Sequence, residues 1–357
     1  MGKFKLTRAA TTRLNDIDFA NLRFGVYFSD HMYVSDFING DWTYGEIVPY
    51  GPFEIEPAMC TLHYGQSLFE GLKAFRSVKG GVNLFRPERN AERLNHSGQR
   101  ICIPPFEIKR LIDAMIDLCI IDYNFIPKTR GHAFYLRPVV FGTGNFLGVH
   151  ESDTYRLIVM TSPVASYYPE GLNPIKIMVC DEYVRAVKGG TGNAKVAGNY
   201  AASLLAGRKA RSKGYSQVLW LDGLTREFID EVGAMNIMFV INDELITPPL
   251  DNGTILPGVT RESVLHLARE WGMNVSERGL TIEEVLEAHS KGTLQEVFGT
   301  GTAAVISPVG LLGFKGDNFI VNDMKIGPFA QKFYDTITGI QYGEIEDTRG
   351  WIVHIDV

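Results

Sequence analysis

The stretch GGTGNAKVAGNY, residues 189–200, places Lys195 after a cluster of three glycines and just before a helix-like run. Glycines let the backbone adopt conformations that are closed to other residues and let it approach a ligand closely. The neighbours of Lys195 are small and apolar, and such surroundings favour the neutral amine that imine chemistry needs. Because most lysines are solvated surface residues, the assignment depends on what the rest of the chain supplies.

The overall composition is that of an ordinary globular protein. Its 357 residues are 45% hydrophobic and 21% charged, and the formal net charge of −6 comes without a basic block. We therefore expect no nucleic acid and no membrane as partners, since no apolar run approaches the roughly 18 residues of a membrane span. The first residues lack the apolar segment of a secretion signal, and four widely spaced cysteines predict free buried thiols, no metal site and a cytoplasmic location.

Strand-like and helix-like segments are mixed along the chain, which predicts an α/β (α+β) fold rather than a regular alternation. A polar helix is predicted to open at Pro87, and a second helix, at about 106–123, carries Leu111, Met115 and Leu118 on one apolar stripe. A helix at about 329–341 is predicted to close the chain. A run rich in proline, glycine and tyrosine marks a domain boundary. The predicted domains are an N-terminal one over 1–166, a linker over 167–178 and a C-terminal one over 179–357.

An arginine interrupts the apolar strand that is predicted over residues 132–141. Strand geometry places Arg137 on the same face as Tyr135. A buried guanidinium needs an anionic partner or several acceptors. Two interpretations of Arg137 therefore stay open, a structural ion pair and a contact with a substrate.

Three features could each bind a phosphate group. They are PGVT at 257–260, where a helix N-terminus offers backbone N–H groups, GTGT at 299–302, and Arg93 on the polar helix. Glu231, at the edge of an apolar strand, is either an ion-pair partner or an acid that engages a cationic ligand group. A lysine, a recessed acid and a phosphate cradle are together what pyridoxal phosphate chemistry requires.

Ten strings, in the order in which they occur, give the chain a family resemblance. They are FSDHM at 28–32, LHYGQSLFEGLKAFR at 62–76, LRPVVFG at 136–142, GNAKVAGNY at 192–200, QVLWLD at 217–222, DEVGAMNI at 230–237, TPPL at 247–250, ILPGVTR at 255–261, EVFGTGTAAVISPV at 296–309 and IQYG at 340–343. The chain resembles, over nearly its whole length, the branched-chain-amino-acid aminotransferases, which are class IV aminotransferases of pyridoxal-phosphate fold type IV.

This resemblance implies a two-domain fold type IV enzyme, with a small α/β domain and a larger domain whose strands form a pseudo-barrel flanked by helices. It also implies reversible transamination of L-leucine, L-isoleucine and L-valine with 2-oxoglutarate, which gives branched-chain 2-oxo acids and L-glutamate. The implied cofactor is pyridoxal 5′-phosphate, and the implied partners are small-molecule amino acids and 2-oxo acids. Members of the family are dimers, so a homodimer is expected.

The family's functional residues carry over to positions of this chain. The resemblance implies Lys195 as the lysine that binds the cofactor and shuttles the proton, Glu231 as the partner of the pyridine nitrogen, and Tyr200 as the partner of the 3′-oxygen. The implied phosphate contacts are Arg93, Val259, Thr260 and Thr302. The substrate carboxylate is implied to meet the Tyr135 face and the backbone around Thr302 and Ala303. The implied side-chain pocket is walled by Phe28, Tyr64, Phe69, Tyr135 and Tyr167, with Arg137 at its polar edge.

Other functions would use the same residues. A D-amino-acid aminotransferase or an aminodeoxychorismate lyase of this fold would keep Lys195 and Glu231, whereas Arg137 and the aromatic wall favour the branched-chain L-enzyme. A cofactor-binding protein without turnover would keep the phosphate cradle but could lose Lys195 or Glu231. Both residues are present, which argues against that class.

Overall fold

The computed structural model describes residues 2–165 and 172–357. The chain folds as two compact units, one made of Met1–Tyr167, Ala194–Ala197 and Gly339–Val357 and the other of Tyr168–Asn193 and Gly198–Thr338. The predicted domains, 1–166 and 179–357 with a linker over 167–178, are each one continuous segment of the chain. The units differ from these bounds because four residues around Lys195 and the C-terminal segment pack with the N-terminal part.

The first unit is built on a ten-stranded sheet that is antiparallel except for the edge pair β1–β4. Its strands are β1 (Lys5–Leu6), β2 (His31–Ile38), β3 (Asp41–Trp42), β4 (Glu46–Pro49), β5 (Ser67–Phe69), β6 (Leu72–Arg76), β7 (Val82–Phe85), β8 (Ala133–Gly142), β9 (Tyr155–Val164) and β19 (Ile352–Ile355). The order is β1-β4-β2-β9-β8-β6-β7-β19, with β3 on β2 and β5 on β8. The expectation that a helix closes the chain was wrong, because β19 follows that helix and pairs with β7.

In the described residues three α-helices accompany this sheet: α1 (Cys60–Tyr64), α2 (Pro87–Arg100) and α3 (Ile108–Ile121). The predicted helices at Pro87 and at 106–123 are confirmed. Leu111, Met115 and Leu118 are at most 2% exposed and belong to one apolar core with residues of the sheet. Burial of each such side chain contributes about 1.5–3 kcal/mol, so α3 is held in place by the stripe that the sequence displays.

The second unit is built on a nine-stranded mixed sheet in the order β12-β11-β10-β17-β16-β13-β14-β15, with β18 on β17. Its strands are β10 (Ile175–Cys180), β11 (Gln217–Leu221), β12 (Ile229–Val232), β13 (Asn236–Ile241), β14 (Glu244–Thr247), β15 (Asn274–Glu277), β16 (Leu294–Gly301), β17 (Val305–Phe314) and β18 (Asp317–Ile320). The remaining helices are α4 (Ala197–Ser212), α5 (Val259–Glu270), α6 (Ile282–Ser290) and α7 (Pro328–Tyr342). Helix α7 continues from this unit into the C-terminal segment of the first.

Cysteine placement corrects one expectation. All four cysteines are free thiols, but only Cys60, Cys119 and Cys180 are buried. Cys102 is exposed because it lies in the turn after α2, with a φ of 59°. Among the described residues, no helix combines the length and the apolar character that crossing a membrane requires.

Candidate active site

The backbone around Lys195 is fixed to the first unit. The Lys195 amide N–H donates to Ser97 Oγ at 2.8 Å, and its carbonyl accepts from the Phe69 amide at 3.1 Å. The next residue, Val196, pairs with Leu68 in an isolated bridge. Ala194 and Val196 are buried in the apolar core, whereas Lys195 between them is only half-buried. The small neighbours therefore anchor the segment and hold the lysine outside that core.

Phe69 lies close to the lysine and to Arg137, which in turn contacts Tyr135, another predicted pocket residue. Lys195 Nζ lies 5.0 Å and Arg137 Cζ 4.6 Å from the centroid of the Phe69 ring, so two cationic groups share one aromatic side chain. Arg137 Nη2 donates to the Tyr135 hydroxyl at 3.1 Å. A Cβ atom at position 71 would overlap that hydroxyl, so Gly71 is required for Tyr135 to lie where it does.

Arg137 has no carboxylate partner among the residues that the structure describes. The Nε atom of Arg137 is buried and has no hydrogen-bond partner among those described residues. A half-buried guanidinium in this state is ready to accept an anionic group. Of the two interpretations that the sequence leaves open, the structural ion pair therefore finds no support.

A buried ion pair that the sequence reasoning missed lies beside this cluster. Arg93 on α2 meets Glu70 twice, with Nε–Oε1 at 2.7 Å and Nη2–Oε2 at 2.9 Å. Asn90 Nδ2 and the Gly71 amide donate to Oε2 at 2.9 and 3.1 Å. Burial alone would raise the pKa of the Glu70 carboxyl, but Arg93, Lys195 and Asn90 hold it below its usual value.

The carboxylate of Glu70 therefore fixes the guanidinium of Arg93, the arginine that is predicted to contact phosphate. The sequence does contain one indication of this ion pair, namely that Glu70 is the single acid in the apolar run SLFEGL. A carboxylate in such a run needs a cationic partner when it is buried.

Glu231, the predicted acid, lies in the second unit on β12, where all four residues are buried. Its Oε1 accepts from the Leu256 amide at 2.9 Å and from Asn236 Nδ2 at 3.2 Å. Its Oε2 lies 3.1 Å from Arg185 Nε, although that N–H is not aligned for a hydrogen bond. Arg185 Nη2 donates to the carbonyls of Gly192 and Thr254. No local pattern singles out Arg185 in the sequence.

Asn236 connects Glu231 to the start of α5. Its Nδ2 also donates to the Leu256 carbonyl at 2.9 Å. Helix α5 begins at Val259 with Gly258 as its N-cap, and a Cβ atom at 258 would overlap Asn236 Oδ1. The N-cap must therefore be glycine, which has no side chain to cap the helix. An N-terminus of this kind favours an anion, and Val259 and Thr260 are the first residues of α5.

The threonine loop lies next to the same asparagine. Thr300 on β16 pairs with Asn236 on β13, and its hydroxyl is buried with no hydrogen-bond partner in the described ranges. Thr302 and Ala303 follow in the turn between β16 and β17, both half-buried. A buried acid, an unpartnered hydroxyl and a helix N-terminus around one asparagine fit a phosphorylated ligand with a basic nitrogen such as pyridoxal phosphate.

The other predicted residues have different surroundings. Tyr200 lies in the first turn of α4, half-buried. Phe28 stacks on Tyr50 with ring centroids 4.8 Å apart, and Tyr64, at the end of α1, is exposed and donates its hydroxyl to the Leu147 carbonyl. Tyr167 lies outside the described residues.

One aromatic neighbour was not predicted. The ring of Phe24 packs edge-on against Tyr135, with the centroids 4.9 Å apart.

Comparison with known proteins gives the family. The model of the amino-transferase class IV family matches residues 67–312. The chain is also 52% identical over 335 residues to branched-chain-amino-acid aminotransferase 2 of Bacillus subtilis (strain 168), over 94% of this chain and 92% of that protein. The chain therefore belongs to the class IV aminotransferases.

Solved structures agree with this family. The crystal structure of the branched-chain amino acid aminotransferase of Escherichia coli matches with a TM-score of 0.75 and 29% identity, over 92% of this chain and 99% of that one. A T.th. branched-chain amino acid aminotransferase with pyridoxamine 5′-phosphate has a TM-score of 0.76 at 23% identity, over 91% and 98% of the two chains, and supports the fold alone. The predicted fold class and the predicted aminotransferase class are confirmed.

Proposed function

We propose that this chain catalyses the reversible transamination of L-leucine, L-isoleucine and L-valine with 2-oxoglutarate, with pyridoxal 5′-phosphate as its cofactor. One observation carries the proposal: Lys195 and Arg137 share the Phe69 ring, and Arg137 has no carboxylate partner among the described residues. An amine beside an anion-seeking guanidinium suits a substrate that carries a carboxylate and a reactive carbon. The relative from Bacillus subtilis, named a branched-chain-amino-acid aminotransferase, supports the substrate class.

The predicted site residues would supply different groups to the cofactor. Pyridoxal phosphate, when bound, supplies an aldehyde carbon that an amine can hold and a pyridine ring that withdraws electrons. Lys195 would hold it covalently and, once released, would move the proton at the substrate Cα. Glu231 would keep the pyridine nitrogen protonated, and Tyr200 would contact the 3′-oxygen. Arg93, Val259, Thr260 and Thr302 would hold the phosphate.

The pocket around Arg137 suits both partners of the reaction. The Phe69 ring offers an apolar surface to branched side chains, whereas Arg137 and the Tyr135 hydroxyl offer a polar edge to the distal carboxylate of glutamate or 2-oxoglutarate. The backbone at Thr302 and Ala303 is proposed to bind the α-carboxylate. Phe28, Tyr64 and Tyr167 stay predictions as parts of the wall.

The alternatives are not favoured by the relatives. A D-amino-acid aminotransferase, an aminodeoxychorismate lyase and a cofactor-binding protein without turnover would each share the fold, but the similar proteins are named branched-chain aminotransferases. A homodimer and a cytoplasmic location complete the proposal as predictions from the family resemblance and from the sequence.

The test is borohydride reduction of the purified protein, followed by peptide mapping and assays with L-leucine and D-alanine. We expect a yellow protein, a reduced cofactor label on Lys195, and activity with L-leucine plus 2-oxoglutarate but none with D-alanine. A colourless protein or a label on another lysine would refute the cofactor assignment. Activity with D-alanine alone would leave the cofactor assignment standing and overturn the substrate class.

A further inference from the structure

A cavity of about 510 Å³ lies within the second unit, between the turn after β11, strand β12 and the segment before α5. Apolar side chains dominate its lining, among them Phe228, Ile229 and Ile255. Asp230 also lines it, whereas its neighbour Glu231 does not. Successive residues of a strand point to opposite faces, so the carboxylates of Asp230 and Glu231 lie on opposite faces of β12.

The carboxylate of Asp230 is only half satisfied. Oδ1 accepts from the Thr254 hydroxyl at 3.1 Å, but Oδ2 is buried and finds no hydrogen-bond partner in the part of the chain that the structure describes. The residue is 5% exposed. A buried carboxylate oxygen without a donor is costly, and this burial raises the pKa of Asp230 to about 6. The site therefore lacks one donor, which a ligand or a water molecule must supply.

The charged residues around the cavity favour a cationic donor. Asp222 and Asp251 line it together with Lys188, and the nearby Arg185 guanidinium partly offsets the rise that burial causes in the pKa of Asp230. The Asp222 carboxylate already accepts from the amides of Leu224, Thr225, Glu227 and Phe228, at 2.8–3.0 Å. These donors hold the pKa of Asp222 well below its usual range against the effect of burial. Asp222 thus contributes a lasting negative charge, and Asp230 contributes the unfilled acceptor.

We propose that this cavity binds a small molecule with a cationic N–H donor, which bonds to Asp230 Oδ2, on an apolar body that contacts Phe228, Ile229 and Ile255. The volume falls in the ordinary range of small-molecule sites, about 300–1,000 Å³. Leu224, at the turn, is 91% exposed, which gives the cavity an apolar rim. The ligand class is a protonated amine with an aliphatic or aromatic body.

This site does not depend on the proposed reaction. It is connected to the surroundings of Glu231 through Thr254, whose hydroxyl donates to Asp230 and whose carbonyl accepts from Arg185. The probe must therefore bind at Asp230 without reacting with an aldehyde. A tertiary ammonium meets this requirement, because it has one N–H donor and forms no imine.

The experiment is calorimetric titration of the holoenzyme with N,N-dimethylbenzylammonium, and with N,N-dimethylbenzamide as a neutral probe of the same size. We expect a dissociation constant on the order of 1 mM for the cation and no detectable binding of the amide. Asp230→Asn should weaken cation binding at least about tenfold. Asp251→Asn, which removes an exposed carboxylate of the same cavity, should change it less than about threefold.

A pH series gives an independent readout. The cation should bind about tenfold more weakly at pH 5 than at pH 8, since Asp230 must lose its proton first, and the Asp230→Asn variant should lack this dependence. Unchanged turnover of L-leucine by that variant shows that it is folded. Absence of binding to the wild type, or equal binding to the wild type and Asp230→Asn, would overturn the proposal and leave a water molecule as the donor. Binding of the amide as tight as that of the cation would overturn the requirement for a charge.

Discussion

In the part of the chain that the structure describes, each unit contains a buried arginine–glutamate pair, and these two pairs differ in geometry. Glu70 and Arg93 form two aligned hydrogen bonds at 2.7 and 2.9 Å. Glu231 and Arg185 come within 3.1 Å, but the aligned hydrogen bonds of Arg185 go to backbone carbonyls. The first carboxylate fixes its arginine, whereas the second is held mainly by an amide N–H and by Asn236. The same two residue types thus position a guanidinium in one unit and a carboxylate in the other.

The largest effect on activity is expected when the charge of the second pair is removed. Glu231→Gln keeps the shape of the side chain but cannot keep a pyridine nitrogen protonated, so kcat for L-leucine with 2-oxoglutarate should fall about 10²–10³-fold. Steady-state kinetics measure kcat, and visible absorbance checks that the cofactor stays bound. Asp230→Asn, at the preceding residue, is the matched control and should keep its turnover. Wild-type kcat in Glu231→Gln would mean that another acid does this work.

Breaking the first pair should affect stability most. Glu70→Gln leaves the buried Arg93 guanidinium without its charged partner, which is expected to cost about 3–5 kcal/mol of unfolding free energy. Because Arg93 is then less well positioned, cofactor affinity should fall about tenfold. Urea denaturation of the apoprotein measures the first effect, and equilibrium dialysis of the cofactor measures the second.

The control for Glu70→Gln is Glu88→Gln, which removes an exposed carboxylate from the first turn of α2. It should leave both quantities within experimental error. Equal unfolding free energies for Glu70→Gln and the wild type would show that the attraction within the ion pair only offsets the cost of desolvating its charges. Lower stability with unchanged cofactor affinity would mean that Arg93 does not contact the phosphate, which would contradict its proposed role.

The two pairs also show how far sequence reasoning reaches. Helix α2 begins at Pro87, as predicted, because a proline is well tolerated in the first turn of a helix. Strand β19 was missed, since its pairing with β7 joins distant parts of the chain and leaves no local pattern. Within the site, the motifs single out Lys195 and Glu231.

Neither Glu70 nor Arg185 could be assigned in that way, because a residue's ion-pair partner is decided by tertiary burial. The strings DEVGAMNI and LHYGQSLFEGLKAFR contain the acids, but nothing in them tells a structural acid from a catalytic one. Glu70, Asp230 and Glu231 are distinguished only by the hydrogen-bond donors that each carboxylate meets in the folded protein.

The smallest effect is expected at Asp230, a third buried acid, which has no ion pair in the described part of the chain. Burial raises its pKa from 3.8 to about 6, so the folded protein binds this proton more tightly than the unfolded chain. Its contribution to stability is therefore fully present below about pH 4 and is lost as the pH rises towards 6. The loss amounts to about 3 kcal/mol.

Urea denaturation between pH 4 and pH 8 tests this sign. Asp230→Asn lacks the titrating proton, so it should be more stable than the wild type at pH 8, by up to about 3 kcal/mol, and the difference should shrink towards pH 4. If the stability difference between the two proteins does not change with pH, a bound molecule already donates a hydrogen bond to Asp230 in solution. In that case, addition of N,N-dimethylbenzylammonium should not stabilise the wild type further at pH 8, whereas an unfilled site predicts stabilisation that grows with probe concentration.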